Sequence, residues 1–260
     1  MVISPSPTSR SRPSTATWPL SQRLVSDSRR IKFATLREVV CLAVPDPWVR
    51  WDWVRDHGDD IVAATRQHVE LTLLAVALGL LISFPLGLAA RRWRRSEGPI
   101  LGFTGALFTI PSLALFALLV PFTGLSRTTA EIGLVGYTLL ILVRNIVAGL
   151  DGVPDDVREA AHGMGFRPLG QLLRVELPLA APVIIAGVRI ATVTTIGLVT
   201  VTGLIGQGGL GAFIIEGINR DFRTPLVVGS VLSVALAVIA DVALAGAARL
   251  LSPWARRGSG

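Results

Sequence analysis

The residues whose types and spacing could carry chemistry lie in one polar segment, residues 152–183, between long apolar runs. Pro154 precedes Asp155 and Asp156. This order predicts a helix start, because proline suits a first helical position and acidic groups favour the positive end of the helix dipole. Small and apolar residues then recur at the spacing of one helix face. They are Val157, Ala160, Ala161 and Met164.

Glycines and prolines divide the polar segment into two short helices. Gly163 and Gly165 can adopt the left-handed conformation that ends a helix. Pro168 opens a second helix whose apolar face is formed by Leu169, Leu172 and Leu173. The segment therefore predicts a helix-turn-helix between membrane spans. Its contact face consists of small residues, which let a backbone seat closely into a partner's groove.

Other residues that could support a site are few and scattered. Cys41 is the only cysteine, which excludes a disulfide framework and a cysteine-based metal cluster. We interpret the three histidines, His57, His68 and His162, as polar, solvated residues because they are far apart in sequence. Paired carboxylates, a Ser-His-Asp set and metal-ligand spacing are absent from the sequence, which therefore predicts neither a catalytic site nor a metal.

Membrane spans are the elements that must position these residues. Hydrophobic residues make up 51% of the 260 residues and charged residues 17%, whereas soluble domains carry about 25% charged residues. Apolar runs of about 20 residues recur, and a helix of that length crosses the ~30 Å hydrocarbon layer. The sequence predicts an all-α, polytopic membrane protein with five spans at 69–90, 99–122, 130–149, 183–205 and 225–248.

The net charge of +7 reflects membrane topology better than a nucleic-acid partner. Basic residues stand at the ends of apolar runs, as the positive-inside rule describes for cytoplasmic ends. They are Arg91, Arg92, Arg94, Arg95, Arg249, Arg256 and Arg257. This distribution predicts an outside N-terminus, with the polar segment and the C-terminus in the cytoplasm.

The chain before the first span has two parts. Residues 1–45 are rich in Ser, Pro, Thr and Arg and are predicted to be disordered. Residues 46–68 hold Trp48, Trp51 and Trp53, which predict an interfacial helix because tryptophan favours the headgroup level. A cation-binding aromatic cage is the alternative. Residues 251–260 are predicted to form a cytoplasmic tail.

The second span is interrupted at Pro111, between Thr109 and Ser112. A proline at membrane depth frees a carbonyl that a hydroxyl group or water must satisfy. We therefore expect this helix to face protein or a translocation path.

Three charged residues lie within the predicted spans: Arg144, Arg189 and Asp241. Such charges are rare at membrane depth and mark structural pairs or functional sites. Asp241 could pair with Arg189 or with Arg144, and a structural ion pair is favoured over a proton relay.

The run Gly206–Gly211 contains a formal G-x-G-x-x-G pattern. A dinucleotide site needs this pattern between a buried strand and a helix, with an acidic residue about 20 positions further on. Here the run follows a membrane span, and no acidic residue lies near position 231. We interpret it as a glycine-rich turn where the fourth span meets an outer loop.

The spacing within the polar segment resembles the EAA loop of ABC importer permeases, EAA-x3-G-x9-I-x-L-P. The matching residues are Glu159, Ala160, Ala161, Gly165, Leu177 and Pro178, with Val175 in place of the isoleucine. Arg167 departs from the pattern, because many members have a serine or threonine cap there. The glycine run also has its counterpart in this family, at the entrance facing the binding protein.

The resemblance extends from about residue 47 to about 252 and is greatest for the glycine betaine, carnitine and choline permeases, the osmoprotectant branch. The segments that carry it are 110–115, 143–145, 153–155 and 206–211. It implies a type I ABC importer transmembrane domain over residues 69–250, in the inner membrane, with five core helices and a cytoplasmic coupling helix.

Two groups of site residues follow from the resemblance. Residues implied to couple to an ATPase are Pro154, Asp156, Arg158, Glu159, Ala160, Ala161, Met164, Gly165, Leu177 and Pro178. Residues implied to line the translocation path or the outer gate are Thr109, Pro111, Ser112, Gly206, Gly208, Gly209 and Gly211.

The resemblance also implies partners: two cytoplasmic ATPase subunits, a second permease subunit (identical or paralogous), an extracytoplasmic substrate-binding protein and the lipid bilayer. The chain has no Walker A pattern, so ATP and Mg would be bound by the ATPase and the chain itself needs no cofactor. The predicted function is import of an osmoprotectant (glycine betaine, choline, carnitine or proline betaine) by alternating access. Two alternatives stay open: a methionine-type amino-acid importer permease, and a proton-coupled secondary transporter using Asp241.

Overall fold

The computed structural model describes residues 47–251, which consist of helices and connecting turns without a strand. The predicted disordered extension and residues 252–260 of the predicted tail lie outside this range. The α-helices are α1 Trp51–Asp56, α2 Gly58–Arg92, α3 Arg94–Thr109, α4 Ser112–Thr123, α5 Arg127–Asp151, α6 Asp155–Gly163, α7 Pro168–Gln171, α8 Leu177–Val201, α9 Leu210–Asn219 and α10 Arg223–Leu251. A π-helix, Leu172–Glu176, joins α7 to α8, and a 3-10 helix, Thr202–Ile205, follows α8.

Four continuous helical segments are long and apolar enough to cross a membrane: α2, α5, the run from α7 through the 3-10 helix, and α10. They contain the predicted first, third, fourth and fifth spans. The first of them starts earlier than the sequence predicted, because α2 already begins at Gly58 and includes the second half of the segment 46–68. Asp59 and Asp60 favour this start through the helix dipole. Within residues 47–68, α1 is the separate short helix before the first span.

The polar segment and the arginine-rich segment share one end of the bundle. Arg91, in the last turn of α2, forms an ion pair with Glu176 of the π-helix. Its Nε also lies 3.4 Å from Oδ1 of Asp151, the last residue of α5. We call this end the basic end. The prediction that the polar segment lies on the same side as Arg91–Arg95 therefore agrees with the structure.

The opposite end, which we call the far end, gathers α1, α9 and the start of α10. The Arg50 amide donates a hydrogen bond of 3.0 Å to Thr224 Oγ1. The ring of Trp53 meets Phe213 and Phe222 edge-on, with centroids 5.8 and 5.9 Å away. The chain thus crosses from the far end to the basic end in α2 and again in α10.

The helices α3 and α4 form one broken span, although they are bent by 96° at Ile110 and Pro111. Successive residues of α3 and α4 contact α5 at successive positions, from its C-terminal end to its N-terminal end. From the basic end outward, the pairs are Ile100 with Val143 and Val147, Phe108 with Tyr137, Phe116 with Gly133, and Thr123 with Thr129. Because the pair follows α5 over most of its length, the described chain has five spans.

Helix α5 is the centre of the bundle, and α10 is its periphery. Of the 18-residue apolar stretch in each helix, 67% is buried in α5 and 11% in α10. Close helix approach depends on glycine: a Cβ at Gly79 of α2 would lie 1.9 Å from Thr138 Oγ1, and one at Gly187 of α8 would lie 2.4 Å from Asn145 Cβ. Such small-residue contacts are typical of helix packing in membranes.

Candidate coupling surface and translocation elements

Helix α6 is the predicted short amphipathic helix, shifted by one residue. Pro154 is its N-cap instead of its first residue, and Asp155 and Asp156 occupy the first turn. Arg158 fastens the helix: its Nη1 lies 2.6 Å from Asp155 Oδ1, and its Nη2 donates to the Leu150 carbonyl at 2.8 Å. The docking of α6 therefore depends on the C-terminal end of α5.

Helix α6 ends at the glycines that the sequence predicts to stop it. Gly163 is the last helical residue, and Gly165 has a φ of +80°. The Met164 amide still donates to the Ala160 carbonyl at 3.0 Å, which closes the last turn. A left-handed residue at this place reverses the chain towards Pro168.

The small-residue face of α6 is divided between the bundle and solvent. Ala161 is 1% exposed and packs inward, and Val157 is half-buried. Three side chains point away from the bundle: those of Glu159, Ala160 and Met164, the last of which is 70% exposed. The four residues whose spacing predicts one contact face therefore divide into an inward pair, Val157 and Ala161, and an outward pair, Ala160 and Met164. We call Asp156, Glu159, Ala160 and Met164 the outer surface of α6.

The predicted second helix is the start of the fourth span instead of a separate element. It comprises one turn, α7, and continues through the π-helix into α8, so that residues 168–205 are helical throughout. Leu169 and Leu173 are exposed, whereas Leu172 packs against Ile146 and Leu150. The three leucines therefore do not share one buried face.

The π-helix has a local cause in the sequence. Pro178 stands in the first turn of α8 and cannot donate to the Arg174 carbonyl, with which its ring would also clash in a regular α-helix. The turn widens, and the Leu177 amide donates to the Leu172 carbonyl five residues earlier. Leu177 and Pro178, predicted to couple to an ATPase, are half-buried at the start of α8 and shape the backbone there.

An ion-pair network at the basic end was not predicted. Arg91 bridges Asp151 and Glu176, and Gln171 Nε2 donates to Glu176 Oε1 at 3.0 Å. The sequence alone indicated Arg91 only as a topology anchor. The available signal was Glu176, an acidic residue inside the EAA-like pattern directly before the apolar fourth span.

The glycine run lies at the far end, where it forms the turn between the fourth span and α9. Gly206 and Gly209 have φ values of +75° and +49°. A Cβ at Gly208 would lie 2.2 Å from Gly203, and one at Gly211 would lie 2.2 Å from the Thr200 carbonyl oxygen. The turn interpretation agrees with this geometry, but the predicted outer loop contains a ten-residue apolar helix, α9.

The structure places His68 and the three tryptophans near the first span. His68 is fully buried, and its Nε2 lies 3.1 Å from the Ile196 carbonyl oxygen. The prediction that His68 is solvated was wrong. Residues of α8 and Gly209 cover it, and these residues are distant from His68 in sequence. Trp48 and Trp51 are exposed and Trp53 stacks on His57, so the three tryptophans form no cage. Residues 47–251 contain no group of His, Cys, Asp and Glu arranged for a metal.

A hydroxyl group from a neighbouring helix binds a backbone carbonyl beside the break at Pro111. Tyr137 of α5 donates a hydrogen bond to the Ile110 carbonyl. Thr109 bonds within its own helix, to the Gly105 carbonyl at 2.8 Å. Pro111 and Thr109 are exposed at the bend, and Ser112 is half-buried.

Of the three charged residues within the spans, Arg189 and Asp241 form a pair and Arg144 lies apart from them. Arg189 of α8 and Asp241 of α10 form a bidentate pair, with Nη2 to Oδ2 at 2.5 Å. Both side chains remain partly exposed, at 43% and 36%. Arg144 is exposed on α5 and forms no ion pair with any residue between 47 and 251. Of the two partners that the sequence left open for Asp241, the structure has Arg189.

The fold defines a multi-pass helical membrane protein with a short, partly exposed helix, α6, between its third and fourth spans. Residues 75–256 match the family described as binding-protein-dependent transport system inner membrane component, and the chain belongs to this family. It is therefore a transport permease component of the inner membrane, of a system that works with a binding protein.

Relatives with assigned substrates match most of the chain. The choline transport system permease protein OpuBB of Bacillus subtilis is 37% identical over 201 residues, which are 77% of this chain and 93% of the relative. The glycine betaine/carnitine/choline transport system permease protein OpuCB of Bacillus subtilis is 34% identical over 206 residues, 79% of this chain and 95% of the relative.

A solved structure confirms the fold. The inward-facing MetNI methionine ABC transporter matches with a TM-score of 0.67 and 21% identity, over 75% of this chain and 98% of that chain. The predicted type I importer architecture is thereby confirmed.

Proposed function

We propose that this chain is the permease subunit of an ATP-driven importer for an osmoprotectant of the choline, glycine betaine or carnitine type. The names of the relatives that match most of its length support this cargo. The observation that carries the coupling function is the outer surface of α6, which is solvent-exposed at the basic end while the same helix is fastened to α5 from behind.

The proposed partners follow from this surface and from the family. Two cytoplasmic ATPase subunits bind ATP and Mg and dock on α6, so the permease itself is non-catalytic and needs no cofactor. A second permease subunit, identical or paralogous, completes the pore. A substrate-binding protein delivers the cargo at the far end.

In the proposed mechanism, closure of the ATPases moves α6, and the movement opens the cavity between the spans to the outside. Asp156, Glu159, Ala160 and Met164 form the contact, because these residues are exposed on the outer surface of α6. Hydrolysis of ATP reverses the movement. Pro154, Arg158 and Gly165 define the ends and the attachment of the helix.

The far end supplies the proposed outer gate. Gly208 and Gly211 hold the start of α9 tightly against the fourth span, Gly209 packs against α2, and Gly206 supplies a left-handed turn. This close packing supports a gate that moves as a unit. Thr109, Pro111 and Ser112 lie at the bend of the second span, where an irregular backbone is compatible with a translocation path.

Uptake in proteoliposomes containing the complete complex tests this proposal. We expect ATP-dependent import of radiolabelled choline or glycine betaine that needs the binding protein and is insensitive to uncouplers. Methionine import would instead indicate an amino-acid importer. Uptake that needs no ATPase and collapses with an uncoupler would indicate a secondary transporter. Deletion of residues 156–164 should abolish transport, and full activity of that variant would contradict the coupling role of α6.

A further inference from the structure

Arg91 connects the ends of three spans at the basic end. It belongs to the last turn of α2, and its guanidinium group contacts Asp151 at the end of α5 and Glu176 just before α8. The Glu176 side chain is 9% exposed and that of Arg91 is 20% exposed, whereas Asp151 is 46% exposed. The pair with Glu176 is therefore largely removed from solvent.

The same network reaches α6 by a short route. Arg158 of α6 donates to the carbonyl of Leu150 at 2.8 Å, one residue before Asp151. On the other side, Glu176 accepts from Gln171 in α7 at 3.0 Å. A displacement of α6 or α7 consequently changes the position of a carboxylate that Arg91 holds.

The backbone at Glu176 can respond to such a displacement. Glu176 ends the π-helix, a form that is rare, short and frequent at functional sites. Pro178 enforces the wide turn, and the Arg91–Glu176 pair joins the end of this turn to the last turn of α2.

From this geometry we propose that Arg91 is a positioning residue that transmits the movement of α6 and α7 to the first, third and fourth spans. The proposal rests on the coupling function proposed above for α6. Arginine suits the role because its planar guanidinium group binds carboxylates from two helices at once, which a lysine ammonium group does not reproduce.

A double substitution separates transmission from stability. Arg91→Met alone leaves Glu176 as an uncompensated buried charge, and we expect poor assembly. Arg91→Met combined with Glu176→Met removes both charges, and apolar replacement of a buried pair is often neutral for stability. We expect this double variant to assemble with the ATPase and to hydrolyse ATP.

The decisive quantity is the amount of cargo imported per ATP hydrolysed, measured in proteoliposomes with the complete complex and binding protein. We expect the double variant to lose about tenfold in this ratio, within the range of typical coupling between sites. Arg91→Lys should show a smaller loss. Arg94→Ala is the control, since it removes the same charge from an exposed residue of the same segment and should keep the wild-type ratio.

A wild-type ratio in the double variant would overturn the proposal, and so would failure of that variant to bind the ATPase, because Arg91 would then serve assembly only. Radiolabelled choline, glycine betaine and methionine are each tested with the wild-type complex. If only methionine is imported, the osmoprotectant proposal fails, while the ratio for the variants is still measured with methionine.

Discussion

At the scale of single residues, the membrane-depth charges show how an unfavourable group is accommodated. Arg189 and Asp241 come from different helices and satisfy each other through two hydrogen bonds. Their partial exposure lies on a side of α8 and α10 that the other residues between 47 and 251 leave uncovered. Lipid is a poor environment for such a pair. This face is therefore suited to the second permease subunit or to the translocation path.

We predict that Asp241→Ala lowers the thermal stability of the detergent-solubilised complex, because it leaves Arg189 without its partner. Arg189→Leu combined with Asp241→Leu should recover most of the loss, since both charges are then absent. The measurement is the melting temperature of each variant by intrinsic tryptophan fluorescence. Arg144→Leu is the matched control and should change the melting temperature little.

The same variants test the two interpretations of Asp241. If the pair is structural, the double variant with both charges replaced by leucine retains ATP-dependent uptake that is insensitive to uncouplers. Loss of uptake with normal assembly and ATP hydrolysis would instead support a role for the pair in the transport path.

At the scale of helices, the closeness of α5 and α8 depends on Gly187. Its missing side chain accommodates Asn145, whose Nδ2 donates to the Ile141 carbonyl at 2.7 Å and so stays within its own helix. The approach brings Gly149 of α5 against Ala180 and Ile184 of α8. The third and fourth spans are therefore held at backbone distance near the basic end, where α6 is attached.

We predict that Gly187→Ala destabilises the permease by about 1–3 kcal/mol, the usual range for overpacking a tight site. The new Cβ would lie 2.4 Å from Asn145 Cβ, so one of the two helices must shift. Gly197→Ala in the same helix is the control, because nothing lies within 4 Å of its Cβ position. Denaturant titration of both variants checks the difference, and equal stabilities would contradict the packing argument.

The helices differ in how far the sequence alone predicts them. Long apolar runs bounded by arginines, such as α2 and α10, are evident from hydropathy, since they depend only on local composition. Helix α9 was not predicted, because a glycine-rich run and a short length are also typical of a loop. Pro178 is a local signal for the π-helix, whereas the burial of His68 depends on contacts with residues distant in sequence, which no local pattern contains.

At the scale of the whole molecule, the far end and the basic end of the bundle are held together by different kinds of contact. The far end packs α1, α9 and α10 through glycines and aromatic rings, with α9 seated against the fourth span. The basic end is held by charged groups, through Arg91 and Arg158, and leaves one face of α6 free. Polar contacts at a water-exposed end can be exchanged for contacts to a partner, so a moving subunit is expected to bind there.

The docking surface proposed at the basic end yields a prediction for the complex. Ala160→Trp places a large side chain on the outer surface of α6, where the isolated permease has room for it because Ala160 is exposed. We expect the melting temperature of the permease alone to be unchanged and its Kd for the ATPase to rise at least about tenfold, equivalent to ~1.4 kcal/mol. Both quantities are measured on the detergent-solubilised protein. Ala161→Trp is the contrasting variant: Ala161 is 1% exposed, so this substitution should destabilise the permease itself. Unchanged ATPase affinity in Ala160→Trp would place the docking surface elsewhere on the basic end.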